Sequence, residues 1–216
     1  MSDFALSFGR LEAVLSAYFR IDPERSGTFR ARIKQLQRLN FPSGVNVGRG
    51  VKFEYELDHC LKLVVALEFM ALGLPAKFVS DIIEAGWRRL AIGFQVSPIA
   101  WLEAEGSDEI FARLKMDLLA DEYNPDEAVH IYDLDHFDNN VVRDGQSILS
   151  VNLTAVFRKF VKCLDLIRLN GDNLSFTIRQ WDTGFRELSN SWDHDWLEVS
   201  HSWLERFKPK ARHVDS

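Results

Sequence analysis

Arg30, Lys34, Gln37 and Arg38 stand at i, i+4, i+7 and i+8, so on a helix they gather on one side, with Arg32 and Gln35 flanking them. These residue types share a chemistry. A guanidinium can donate two parallel hydrogen bonds to guanine, a glutamine amide can pair with adenine, and a lysine neutralises phosphate. The same residues would also make an ordinary solvated basic face, so their neighbours must decide between the two. Downstream, Gly48-Arg49-Gly50 lies between Val45-Asn46-Val47 and Val51-Lys52-Phe53-Glu54-Tyr55, which reads as strand, turn, strand. The glycines allow positive φ at the tip, and Arg49 and Lys52 project where a small hairpin would meet a nucleic-acid backbone.

Several helices must position these groups. Leu11, Val14, Leu15, Tyr18 and Phe19 form one apolar stripe and predict a first helix over residues 8–19. Asp22-Pro23 reads as a turn or an N-cap with proline at the first helical position. Ser26-Gly27-Thr28 offers capping hydroxyls for a second helix over 28–40, whose buried side is Phe29, Ile33 and Leu36 with Leu39 at its edge. After the hairpin, Glu56 and Asp58 open a helix that reaches residue 72 with Leu57, Leu61, Val64, Val65 and Phe69 as core. Gly73 is its expected C′ residue. Pro75 starts another helix through about residue 87, with Phe78, Val79, Ile82 and Ile83 apolar.

A basic helix, a hairpin and two apolar helices in that order are the plan of a winged helix-turn-helix. Residues 29–83 resemble the DNA-binding domain of MerR-type regulators. The resemblance rests on three stretches. Ile33-Lys34-Gln35-Leu36-Gln37-Arg38-Leu39 stands at the recognition-helix position. Lys52-Phe53-Glu54-Tyr55-Glu56-Leu57-Asp58 closes the wing and opens the next helix. Leu72-Gly73-Leu74-Pro75-Ala76-Lys77-Phe78-Val79 matches the final turn. It implies double-stranded DNA as partner, with Arg30, Arg32, Lys34, Gln35, Gln37, Arg38, Arg49 and Lys52 as the contacting residues.

Charge is distributed accordingly. The whole chain is −6, yet residues 1–95 hold 13 Lys/Arg against 10 Asp/Glu, and the remainder holds 13 against 22. Within residues 20–52 the count is 8 against 2. A basic module joined to an acidic partner half is the expected arrangement. The 46% hydrophobic content, 16 Phe and 6 Trp argue for packed cores and against disorder. No apolar run approaches the ~20 residues of a membrane span, and the start lacks a signal peptide's basic end and cleavage site, so the expected location is the cytoplasm. Cys60 and Cys163 read as buried small hydrophobes, with a long-range disulfide as the alternative.

The second half has a different texture. Residues 91–106 read as a linker broken by Gly93 and Pro98. Residues 107–119 read as a helix, 129–132 and 148–153 as strands, and 154–169 as an amphipathic helix with Val156, Phe157, Phe160, Val161, Leu164 and Ile167 apolar. A strand over 174–178 and a last helix over 193–207 follow. Trp192, Trp196 and Trp203 form a stripe on that last helix, suited to core packing or to a dimer interface. Asp133-Leu134-Asp135-His136-Phe137-Asp138 fails the calcium-loop pattern and reads as an exposed acidic turn. His194, Glu198 and His201 share one helical face; a solvated polar face is preferred to a zinc site. No nucleophile elbow and no phosphate loop stands out, so no enzyme activity and no cofactor is expected.

These readings combine into a mainly α chain with small β elements. Residues 1–90 form an N-terminal winged helix-turn-helix and residues 107–216 a C-terminal α+β domain for dimerisation, sensing or partner binding. The expected function is sequence-specific transcriptional regulation by a homodimer on a palindromic operator. The acidic half is available to RNA polymerase or another protein. The competing readings are a protein-interaction adaptor that keeps the winged fold without DNA binding, and a metal-dependent enzyme with its site in the acidic half.

Overall fold

The structure, a computed structural model, describes residues 4–45, 52–103, 109–115, 128–133, 148–167 and 169. Strand β1 (Ala5–Leu6) leads into helix α1 (Phe8–Tyr18), and a 3-10 turn (Pro23–Arg25) leads into α2 (Ser26–Arg38). Strand β2 (Tyr55–Glu56) precedes α3 (Leu57–Ala71) and α4 (Ala76–Glu103). Strands β3 (Ile110–Lys115), β4 (Val129–Asp133) and β5 (Ile148–Asn152) then form an antiparallel sheet in the order β4-β3-β5, and α5 (Leu153–Leu166) follows. The fold among the described residues is thus mainly helical with two small antiparallel sheets.

Local chemistry sets the helix ends. The Asp22 carboxylate accepts from the Glu24 amide at 2.9 Å, so the cap sits on the 3-10 turn, and α2 begins at Ser26 with no capping hydroxyl engaged at its N-cap, Arg25. Glu56 and His59 form a reciprocal capping box on α3. Gly73, at φ +96°, ends that helix: the Leu74 amide donates to the Phe69 carbonyl and the Gly73 amide to the Met70 carbonyl. Asn40 and Arg20 play the same left-handed role after α2 and α1.

Two expectations are corrected. The described part of the helix expected over 107–119, residues 109–115, is not helical: Ile110, Ala112 and Leu114 alternate inward on β3, and strands on both sides satisfy its backbone. The apolar residues there fit either period, and pairing decides. Residues 91–103 are not an extended linker, because α4 runs unbroken through Gly93 and Pro98. Its second half buries Leu90, Ala91 and Phe94 in the core. Gly93 is used for close approach, since a Cβ there would lie 2.5 Å from Leu153 Cδ1, and Gly86 stands equally close to Val129.

The buried side chains of both halves belong to one hydrophobic cluster, from Phe4 on the N-terminal side to Leu164 on α5. Helix α5 packs on α4 and also on α1 and α3. Lys159 of α5 places its ammonium 3.9 Å from the centre of the Tyr18 ring, and Tyr18 donates to Glu68 on α3 at 2.9 Å. Burial, reinforced by Glu68, pushes the Tyr18 phenol far above its ordinary range, so it stays a donor. No helix among the described residues is long and apolar enough to cross a membrane. Cys60 and Cys163 are both buried and unbridged, and burial raises both thiols.

Candidate nucleic-acid interface

Helix α2 buries Phe29, Ile33 and Leu36 and turns the rest outward. At about 100° per residue the direction opposite that stripe is held by Ala31, Lys34, Gln35 and Arg38. Arg32 lies on one flank, and Arg30 and Gln37 lie on the other. All but Gln37 are exposed; Gln37 is half-buried.

The two residues on that second flank are engaged. Arg30 reaches across to α1, donating from Nε and Nη2 to the two carboxylate oxygens of Glu12 at 2.8 and 2.5 Å. Its guanidinium also stands 5.9 Å from the centre of the Phe8 ring, and Glu12 holds it still more firmly protonated. Gln37 donates from its amide to the Tyr55 hydroxyl. Burial raises the Tyr55 phenol, and the bond from Gln37 works against that rise. Arg30 and Gln37 therefore tie α2 to α1 and to β2. By contrast, Arg32, Lys34, Gln35, Arg38 and Lys52 form no side-chain hydrogen bond or ion pair among the described residues.

The described end of the expected second hairpin strand pairs with β1. Leu6 faces Tyr55 and Ala5 faces Glu56 in an antiparallel register, so the segment after Lys52 is fixed to the strand ahead of α1. Tyr55 is buried and packs against Phe53 at 4.9 Å and Phe8 at 6.5 Å. Arg49 and the tip of the expected hairpin lie outside the described residues, as do Trp192, Trp196 and Trp203, the strand over 174–178 and the His194, Glu198 and His201 face.

The turn after α2 is held by a group the sequence reading passed over. Glu84 on α4 accepts from the Ser43 amide at 2.7 Å and from the Lys62 ammonium at 2.8 Å. Lys62 is 5% exposed and stands 5.2 Å from the centre of the Trp87 ring. A signal for it existed: Lys62 interrupts the apolar run from Leu61 to Leu67, and a buried lysine demands a carboxylate. Glu12 left no comparable mark.

Glu56, Asp58 and His59 bring ligand atoms within 4.8 Å of one another, but His59 Nδ1 already accepts from the Glu56 amide at 3.1 Å in the capping box. The arrangement closes a helix end. No protein-family model, curated protein or solved structure matches the chain.

Proposed function

We propose that the protein is a sequence-specific DNA-binding transcriptional regulator in which α2 enters the major groove and the segment around Lys52 meets the flanking backbone. The observation that carries this reading is the state of the α2 surface. Lys34, Gln35 and Arg38 stand together on its outward side with Arg32 beside them, and among the described residues none of them has a side-chain hydrogen-bond or ion-pair partner. Arg30 and Gln37, at one flank, fix the angle at which the helix is presented. Base reading then falls to Lys34, Gln35 and Arg38, with Ala31 small enough to admit a thymine methyl.

Selection of bound sequences from random duplexes by the full-length chain, followed by titration against salt, tests the reading. Affinity should fall steeply with salt, by about 0.9 log unit per log unit for each neutralised phosphate. Arg38→Ala should relax base preference at a cost of ~1–3 kcal/mol, whereas Arg49→Ala should weaken all sequences alike. No binding at low salt, or equal and sequence-independent losses in both variants, removes the regulator reading.

A single recognition helix reads few base pairs, so the proposed active species is a homodimer on a palindromic site. Sedimentation of the protein–operator complex should give two chains per duplex; one chain per saturated duplex contradicts it.

A further inference from the structure

One face of the three-stranded sheet is spent on the core, where Ile110, Ala112, Leu114, Val129 and Ile131 are buried. The opposite face carries a different chemistry. In the register of the sheet, Arg113 on the central strand lies between His130 on β4 and Ser150 on β5. Two residues along the same face, Phe111 and Tyr132 stack at 5.6 Å with their planes 9° apart. Tyr132 and Ser150 share a hydrogen bond of 2.5 Å, and with Tyr132 as donor the Ser150 hydroxyl is left to donate onward.

Arg113 is the anomaly. It is half-buried, its Nε is shut off from solvent without a hydrogen-bond partner, and among the described residues no carboxylate pairs with it. Glu109, just ahead of β3, accepts from Asn152 at 2.6 Å and forms no ion pair with Arg113. A lysine could shed its proton under such desolvation; an arginine cannot. A partly dehydrated guanidinium needs an anion, and its fork fits two oxygens of one planar or tetrahedral group. Burial raises the Tyr132 phenol, and the Ser150 hydrogen bond and the positive charge of Arg113 work against that rise.

We infer that Arg113, with Ser150 and His130 to either side, binds the oxyanion group of a small molecule, a carboxylate or a phosphate, whose remainder extends toward the half-buried Phe111. This site is separate from the α2 surface and does not depend on DNA binding.

Calorimetric titration of the full-length protein with inorganic phosphate and, separately, with sodium benzoate tests the inference. One or both should bind with one-to-one stoichiometry and raise the thermal midpoint. A response to phosphate alone assigns a phosphoryl group, and a stronger response to benzoate assigns an aromatic carboxylate. Arg113→Met should weaken binding at least about tenfold while the ligand-free midpoint stays level or rises, because the substitution removes a half-buried charge that no carboxylate pairs with among the described residues. Arg113→Gln gives the same comparison if the methionine variant fails to fold. Absence of binding by both anions up to about 10 mM, the weak end of the affinity scale, or unchanged binding in the variants, overturns the assignment.

Discussion

Replacing Glu84 with alanine is expected to destabilise the protein by about 2–3 kcal/mol in chemical denaturation. Glu84 holds three donors: the Lys62 ammonium, the Ser43 amide and, at 3.4 Å, the Ser43 hydroxyl. Without it the ammonium of a lysine 5% exposed has no counter-charge, and the turn after α2 loses its attachment to α4. Breaking a fully buried pair costs about 3–5 kcal/mol, but the Glu84 side chain is 30% exposed, so water moderates the loss. The double variant Lys62→Met with Glu84→Leu should recover most of the stability, since the charge needing compensation is gone. A single Glu84→Ala variant within about 0.5 kcal/mol of the parent, the range of an ordinary surface substitution, would show that the cluster is not a clamp.

Phe160→Ala should lower stability by about 3–5 kcal/mol, and the loss should appear in the whole molecule at once. Phe160 lies on α5 with no exposed surface, within the same hydrophobic cluster as Leu11, Val14 and Leu15 of α1. Because α5 packs on α1, α3 and α4, the described residues offer no surface along which one half can unfold while the other keeps its core. Circular dichroism and tryptophan fluorescence should therefore trace one coincident transition in both parent and variant. Two separated transitions, with only the later or the earlier displaced, would establish independent halves instead.

The helices were largely legible because their apolar stripes are long. Leu11, Val14, Leu15 and Tyr18 mark α1, and Phe29, Ile33 and Leu36 mark α2. Strands β4 and β5 were readable from short β-branched runs bounded by polar segments. Pairing without periodicity was not: β1 and β2 have two residues each, too few to show any alternation. On β3, Ile110, Phe111 and Leu114 satisfy helical spacing as well as they satisfy a strand, and only the neighbouring strands settle the matter. Gly93 and Pro98 are breakers by intrinsic preference, overruled in α4 by the burial of Leu90, Ala91 and Phe94.

The candidate interface divides the same way. Residue type made Lys34, Gln35 and Arg38 visible, but nothing in their spacing told them apart from Arg30 and Gln37. That distinction belongs to partners distant in sequence, Glu12 on α1 and Tyr55 on β2. The same holds for Arg113, an unremarkable strand residue until the register sets it between His130 and Ser150, with no carboxylate paired to it among the described residues.

The unbroken run of α4 from Ala76 to Glu103 bears on how this protein can be taken apart. Multidomain chains are commonly divided at exposed, flexible linkers that few contacts cross. Here the position where a joint would be sought falls inside a helix, beside the buried Leu90 and Ala91. A piece ending there would carry the α2 surface intact but would strip α1 and α3 of the helix that covers them. Chimeras of this chain should be joined elsewhere, with α5 and its sheet travelling alongside the helices they cover.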